Sequence, residues 1–328
     1  MRAALTATDS SFEIATLPDP VPGPGELVVR VAGCGICGSD LKARPMMPAG
    51  TVMGHELGGE VVAVGAGAHG WKEGMRAAVL PVHACGECDR CRAGNVAHCE
   101  HAQLVGLGGA PGGFAELTRV SASHAFPLPD ALPASAAPLV EPFAVGLHTA
   151  RLAAIEPGDD VLVIGAGPVG LTTARWAREL GAGSVTVSDP VARRRVAAPR
   201  FGATGVVDPA ADGLGGPYDV VFECVGKPGL LDAAAAAAGL HGRIVIAGVC
   251  AEPDPYFPIV PLMKELSIRF SVYYLPDEFR AVVTAFADGV IDPAPLVTRT
   301  VALGDLDAAF AALTTAPDDL KILVDPTA

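Results

Sequence analysis

The chain has 328 residues, half of them hydrophobic and only 18% charged, which excludes a wholly disordered protein and suits two domains of ordinary size. Its 36 acidic residues against 23 basic ones give a formal net charge of −13. Phosphate backbones need a positive surface, so nucleic acid is excluded as the main partner. The first third is rich in β-branched residues and glycine, with short predicted strands at 26–31, 59–64 and 76–80. This is the pattern of a mostly β, barrel-like unit. An Ala-rich helix is predicted over 133–156, ending at the turn Glu156-Pro157-Gly158-Asp159.

From residue 160 strands and helices alternate. Val161-Leu-Val-Ile164 is a continuous apolar run of the kind buried on both faces of a parallel sheet. A helix is predicted over 169–181 and a strand over 185–188. A helix broken at Pro199 follows over 191–201. Further strands are predicted at 220–223 and 244–247, with a helix at 230–239 between them. Such alternation predicts a doubly wound parallel sheet, and hence an α/β protein. The tail, from about 281, carries a helix or two and a final strand at 321–324. No secretory leader and no uninterrupted apolar run of about 20 residues is visible, so the expectation is a soluble, cytoplasmic protein without a membrane partner.

Gly165-Ala-Gly167-Pro168-Val169-Gly170 directly follows one predicted strand and opens a helix. In that position the spacing is a dinucleotide fingerprint. The glycines allow a tight turn, close approach of a pyrophosphate and close helix packing, and the helix N-terminus offers free N–H groups. Asp189 ends the next strand, nineteen residues after Gly170. A carboxylate there accepts hydrogen bonds from the adenosine ribose and repels a 2′-phosphate, which favours NAD over NADP. Arg193, Arg194 and Arg195 follow as a solvated helical face, or as a group of which one member, such as Arg194, reaches adenine or a phosphate.

Eight cysteines without a secretory leader point to metal or redox chemistry rather than a disulfide framework. Cys85, Cys88, Cys91 and Cys99 lie within fifteen residues and can wrap one tetrahedral Zn²⁺. With four thiolates the site is closed, hence structural. An iron–sulfur cluster and a nucleic-acid-binding zinc ribbon are the rivals. The missing Cys-Pro terminus speaks against the first, and Glu87, Asp89 and Glu100 against both. A second set is dispersed along the chain: Cys37 in Gly35-Ile-Cys37-Gly-Ser39-Asp40, then Gly54-His55-Glu56, then Leu139-Val-Glu141-Pro142. Together they supply thiolate, imidazole and carboxylate, the donors of a catalytic zinc with an open position.

These segments, with Gly59, the four-cysteine loop and Gly165–Gly170 in the same order, resemble the zinc-dependent medium-chain dehydrogenases over nearly the whole chain. Glu141, where alcohol dehydrogenases proper carry Cys, resembles the polyol and threonine dehydrogenase branch. The resemblance implies a GroES-like β-barrel catalytic domain at 1–150, a Rossmann domain at 151–290 and a return to the catalytic domain at 291–328. It implies zinc-dependent hydride transfer between NAD and a secondary alcohol or its ketone, such as a diol, polyol, cyclitol or amino alcohol. The alternatives are an NADPH-preferring carbonyl reductase of the same family and a non-catalytic nucleotide-binding zinc protein. The resemblance further implies that Cys37, His55 and either Glu56 or Glu141 hold the catalytic zinc. Asp40 then orients His55, and Ser39 is the first proton acceptor. Gly226, Val249 and Ser271 border the nicotinamide, and Lys321 faces the pyrophosphate. A homodimer or homotetramer paired through the Rossmann sheet is expected, with 269–274 as its edge.

The chain departs from the pattern at Lys42, where many relatives carry His. A surface Lys with water carrying the proton, or a Lys touching the cofactor ribose or a polar substrate, are both open readings. Arg44 either reaches an anionic or hydroxylated substrate or is solvated. Phe270 stands where relatives often have Gly, and Tyr273 and Tyr274 either line a pocket, line an interface or pack.

Overall fold

In the computed structural model, which describes residues 1–315 and 318–328, the chain opens on an antiparallel hairpin, β1 (Arg2–Thr6) with β2 (Phe12–Thr16). The strands β3 (Glu26–Gly35), β4 (Glu56–Val64) and β5 (Arg76–Val79) follow, with the short helix α1 (Gly38–Ala43) between β3 and β4. The stretch from Val82 to Leu104 holds the two-residue strands β6 (Val82–His83) and β7 (Gln103–Leu104) and the turn of helix α2 (Asp89–Arg92). β8 (Leu117–Ser121) and β9 (Ala125–Pro127) come next. A 3₁₀ segment (Ala134–Leu139) then leads into α3 (Val140–Leu152).

The second set alternates as expected: β10 (Asp160–Ile164), α4 (Pro168–Glu179), β11 (Ser184–Ser188), α5 (Ala192–Ala197), β12 (Gly205–Val207), β13 (Tyr218–Glu223), α6 (Leu230–Ala237), β14 (Ala238–Ile246), α7 (Ile259–Met263) and β15 (Ser267–Phe270). The chain ends with α8 (Pro276–Ala287), β16 (Val297–Ala302), α9 (Leu306–Thr315) and β17 (Lys321–Asp325).

Two units result. The first is Met1–Glu141 together with Leu275–Ala328, and the second is Pro142–Tyr274. The first crossing therefore falls inside α3 and the return comes at Leu275, where the sequence reading put boundaries at 150 and 290. The return is early because α8 is an element of the first unit: its Phe279 is fully buried, with its ring centroid 4.9 Å from that of Phe126.

The first unit carries a seven-stranded sheet in the order β16-β17-β3-β4-β5-β9, with β8 also on β3. Alternate residues of β3, including Leu27, Val29 and Val31, face a core shared with Leu57, Val61, Phe114, Phe310, Ile322 and Val324. The second unit carries a six-stranded, all-parallel sheet in the order β12-β11-β10-β13-β14-β15. Its order reverses between β10 and β13, the switch point at which such sheets bind nucleotides. Val161, Leu162 and Val163 are fully buried there, as the apolar run requires.

Two boundaries differ from expectation for visible reasons. α6 stops at Ala237 because Lys264 Nζ donates to the carbonyls of Ala235, Ala236 and Ala238, capping the helix, after which the chain extends directly into β14. β15 ends at Phe270 rather than 274, and Tyr273 adopts a left-handed backbone conformation with φ +60° that no strand continues. Among the described residues no helix is long and apolar enough to cross a membrane.

Candidate active site

Among the described residues, two groups of metal-type donors each lie with their ligand atoms within 4.8 Å of one another: Cys37, His55 and Glu56, and the four cysteines 85, 88, 91 and 99. Both belong to the first unit.

The first group is assembled by the β3–β4 pair. β3 delivers Cys37 at its end, as the residue capping α1, and β4 opens on Glu56, which lies opposite Gly35 in the antiparallel register. Asp40, fully buried in the first turn of α1, ties two of the donors together. Its Oδ2 accepts from the Cys37 N–H at 2.9 Å, and its Oδ1 lies 3.0 Å from His55 Nδ1. With Nδ1–H donating to Asp40, the lone pair of His55 is left on Nε2, the nitrogen a metal takes. Burial by itself lowers the His55 pKa, but the Asp40 charge and hydrogen bond, with Cys37, outweigh it and hold the imidazole well above its ordinary value. Ser39 Oγ lies 3.4 Å from Nε2.

Glu56 is 1% exposed. Its Oε1 accepts from Lys321 Nζ at 2.6 Å, while Oε2 is buried with no hydrogen-bond partner. A buried carboxylate oxygen left without a partner carries a large desolvation cost unless something cationic meets it. Thiolate, imidazole Nε2 and this oxygen are together the donor set of a zinc with an open fourth position, so the residues fit the metal. Glu141 is buried in the first turn of α3 but is not in the group of converging donors.

Lys321 corrects the sequence reading, which set it at the cofactor pyrophosphate. It is 1% exposed, and its ammonium donates to Glu56 and, at 3.0 Å, to the Ile36 carbonyl. The cause is register: β17 pairs with the end of β3, Leu323 opposite Gly35, which brings Lys321 beside Ile36. Burial lowers its pKa, but the Glu56 charge and hydrogen bond, with the charges of Cys37 and Glu141, together raise it more, so the ammonium stays protonated. Arg44 is half-buried and engaged within the first unit. Its guanidinium stacks 5.5 Å and 4.9 Å from the Phe12 and Phe310 ring centroids and pairs with Asp307 at 3.0 Å. Lys42 is exposed on α1.

The second group has a different geometry. Sγ–Sγ distances are 3.5 Å for Cys85–Cys99, 3.8 Å for Cys88–Cys99 and 3.9 Å for Cys85–Cys91. Four sulfurs around a tetrahedral Zn²⁺ at bonds of about 2.3 Å stand about 3.8 Å apart, so these residues also fit the metal. Backbone N–H groups of Cys88, Cys85 and His101 point at the sulfurs of Cys85, Cys99 and Cys99 at 3.4, 3.4 and 3.3 Å. Backbone donors pull the Cys88 thiol down to about 6, and burial with crowding by its neighbours pushes Cys91 up to about 12. All four could lose their protons together only around a cation.

The fingerprint lies in the second unit. Gly167 caps α4, Pro168 and Val169 form its first turn, and Gly170 packs against the Gly165 carbonyl. Asp189, 4% exposed, accepts from the Ala166 N–H at Oδ2 and the Val191 N–H at Oδ1, each at 2.8 Å. Arg195 donates to the Asp189 carbonyl at 2.6 Å and pairs with Asp208 at 2.9 Å. Arg194 stands with Nη1 3.9 Å from Asp189 Oδ2. Gly226 and Val249 meet at the ends of β13 and β14, Val249 being exposed. The Ser271 hydroxyl is engaged with that of Thr149 at 3.0 Å.

Comparison with known proteins fixes the lineage. Residues 23–130 match the family described as alcohol dehydrogenase GroES-like domain, and residues 168–288 match zinc-binding dehydrogenase. The chain is 31% identical to the sorbitol dehydrogenase of Bacillus subtilis (strain 168), an alignment covering 99% of this chain and 97% of that one. The chain belongs to the zinc-dependent medium-chain dehydrogenases. Its backbone agrees with that of an Escherichia coli CFT073 alcohol dehydrogenase (rspB) complexed with NADH at a TM-score of 0.92, 29% identity and 99% coverage of both chains. It agrees equally, at 0.92 and 31% identity with 99% coverage of both, with a zinc-binding dehydrogenase from Sinorhizobium meliloti 1021 bound to NADP. As a medium-chain dehydrogenase it is an α/β protein with a GroES-like catalytic domain and a Rossmann sheet. It uses zinc and a nicotinamide cofactor to interconvert an alcohol and a carbonyl compound.

Proposed function

We propose that this chain is an NAD-dependent dehydrogenase of a diol, polyol, cyclitol or amino alcohol, with Cys37, His55 and Glu56 as the ligands of its catalytic zinc and the four cysteines 85, 88, 91 and 99 as the cage of a second, structural one. The observations that carry it are the convergence of Cys37, His55 and Glu56 ligand atoms within 4.8 Å and the buried Glu56 Oε2 with no hydrogen-bond partner. When bound, the zinc acidifies a substrate hydroxyl and the nicotinamide takes up the hydride.

The chain's own residues do the rest. Asp40 fixes the His55 tautomer and, through the Cys37 N–H, the thiolate beside it. Lys321 occupies one Glu56 oxygen, at 2.6 Å, and leaves the other for the metal. Ser39, whose Oγ lies 3.4 Å from His55 Nε2, accepts the substrate proton on this reading and passes it to water. NAD is favoured because Asp189 is a buried carboxylate held at the end of β11, where a 2′-phosphate would add like charge. Phe270, Val272, Leu262 and Met263 are exposed on and beside the edge strand β15 and support a homodimer through that edge, in the cytoplasm.

The test is reduction of NAD⁺ and NADP⁺ by zinc-replete protein across a panel of diols, polyols, cyclitols and amino alcohols. Turnover with NAD⁺ on at least one compound, with NADP⁺ weaker by about tenfold or more, is the expected result. Silence with both cofactors would overturn the proposal.

A further inference from the structure

β13 ends with a charge where its sequence is otherwise apolar: Val220, Val221 and Phe222 are fully buried and Glu223, 3% exposed, follows them. A carboxylate at such depth persists only if its oxygens are met. Its Oε1 accepts two backbone N–H bonds, from Val225 at 2.7 Å and Gly226 at 2.9 Å. The main-chain carbonyl of the same residue accepts two more, from Ala247 at 2.8 Å and Gly248 at 2.9 Å. One residue thus holds the turn after β13 with its side chain and the turn after β14 with its backbone.

The two turns are in direct contact. Gly226 has φ +71°, and a Cβ there would stand 2.5 Å from the Val249 carbonyl carbon. A Cβ on Gly248 would collide with the Gly226 nitrogen and come within 2.5 Å of Glu223 Oε2. The three glycine-bearing crests at this end of the sheet do not serve the same half of a dinucleotide. Asp189 marks β11 as the adenosine side, and the sheet order reverses between β10 and β13. The nicotinamide half therefore belongs over β13 and β14.

We propose that Glu223 is a positioning residue for the nicotinamide ring, shaping the shelf made by Gly226 and Val249 without touching the cofactor itself. This rests on the reading that these two residues border the nicotinamide. A carboxylate accepting backbone N–H groups is a charge-assisted brace, and without it the 224–226 turn loses both of its side-chain anchors. The ring end of the cofactor then loses its preformed seat, while the ADP-ribose end, set by Gly165–Gly170 and Asp189, keeps its own.

The test uses two ligands on the holoenzyme: NADH, read by nicotinamide fluorescence, and ADP-ribose, which lacks the ring, read by calorimetry. Glu223→Ala is expected to weaken NADH about tenfold and ADP-ribose less than about twofold. Glu223→Gln keeps an Oε1 acceptor and is expected to restore NADH affinity to within about threefold of the wild type. Glu223→Asp keeps the carboxylate but draws it back from the Val225 and Gly226 N–H groups, and is expected to give an intermediate, equally selective loss, so the proposal stays testable if Glu223→Ala does not fold. Equal weakening of both ligands, or unchanged NADH affinity in Glu223→Ala, would overturn the proposal. Failure of the wild type to bind NADH at all would instead overturn the cofactor reading, and this inference with it.

Discussion

The two metal clusters of the first unit solve the same problem in opposite ways. The four-cysteine loop is local: its donors lie within fifteen residues, and its backbone N–H groups point at its own sulfurs. The Cys37–His55–Glu56 cluster is assembled from separate strands and is sunk among charges, with Asp40 behind the imidazole and Lys321 behind the carboxylate. A cage of four thiolates closed on a metal would leave no room for a substrate. Three mixed donors, braced from behind, leave a position open and keep one carboxylate oxygen in reserve. On the proposed reading, the difference is that between a site built to hold a loop and a site built for chemistry.

Several changes would break or sharpen that contrast. The largest effect is expected at the reserve oxygen. Glu56→Gln keeps a hydrogen bond for Lys321 but removes the anionic ligand, and turnover should fall about a hundredfold with loss of about one zinc per chain. Glu141→Gln should cost less than about tenfold, because Glu141 is outside the converging group. Steady-state kinetics with zinc analysis decides between the two, and equal losses would return Glu141 to the ligand set. Lys321→Met removes the cation paired with the buried Glu56 carboxyl, and urea unfolding of the metal-free protein should show a loss of about 3–5 kcal/mol.

Cys99→Ser opens the cage, and the expected result is loss of one zinc and a Tm lower by about 10 °C. The catalytic cluster keeps its own metal at temperatures where the variant is folded. Away from both clusters, burial holds the His124 imidazole down to about 4. The folded state therefore binds fewer protons than the unfolded one between about pH 4 and 6.5. The contribution of neutral His124 is complete above about pH 6.5 and is lost as the pH falls toward 4, by at most about 3 kcal/mol. His124→Gln should remove that part of the slope in unfolding experiments run at pH 7 and pH 5.

How far the sequence reveals this arrangement depends on how local each feature is. The four-cysteine loop and Gly165–Gly170 are legible because each is a short run whose spacing alone states its geometry. Asp189 is legible because it ends a strand at a fixed interval from the fingerprint. Lys321 is not: its partner is 265 residues away, and only the pairing of β17 with β3 puts them together. The partners of Arg44 are hidden for the same reason, since Phe310 and Asp307 reach it from the far end of the chain. The return to the first unit at Leu275 is hidden because α8 reads as one more helix of an alternating series. What marks its allegiance is a tertiary contact, Phe279 on Phe126. Glu223 carried a visible signal, a carboxylate closing an apolar strand, but its role depends on which turns it meets.

The most direct measurement of the contrast is zinc per chain and NAD⁺-dependent turnover, taken together on the wild type and on Cys37→Ser. Two zinc ions falling to one, with turnover reduced about a thousandfold or more and NADH affinity held within about twofold, is the result this account predicts. Retention of both zinc ions, or of full turnover, in Cys37→Ser would contradict it.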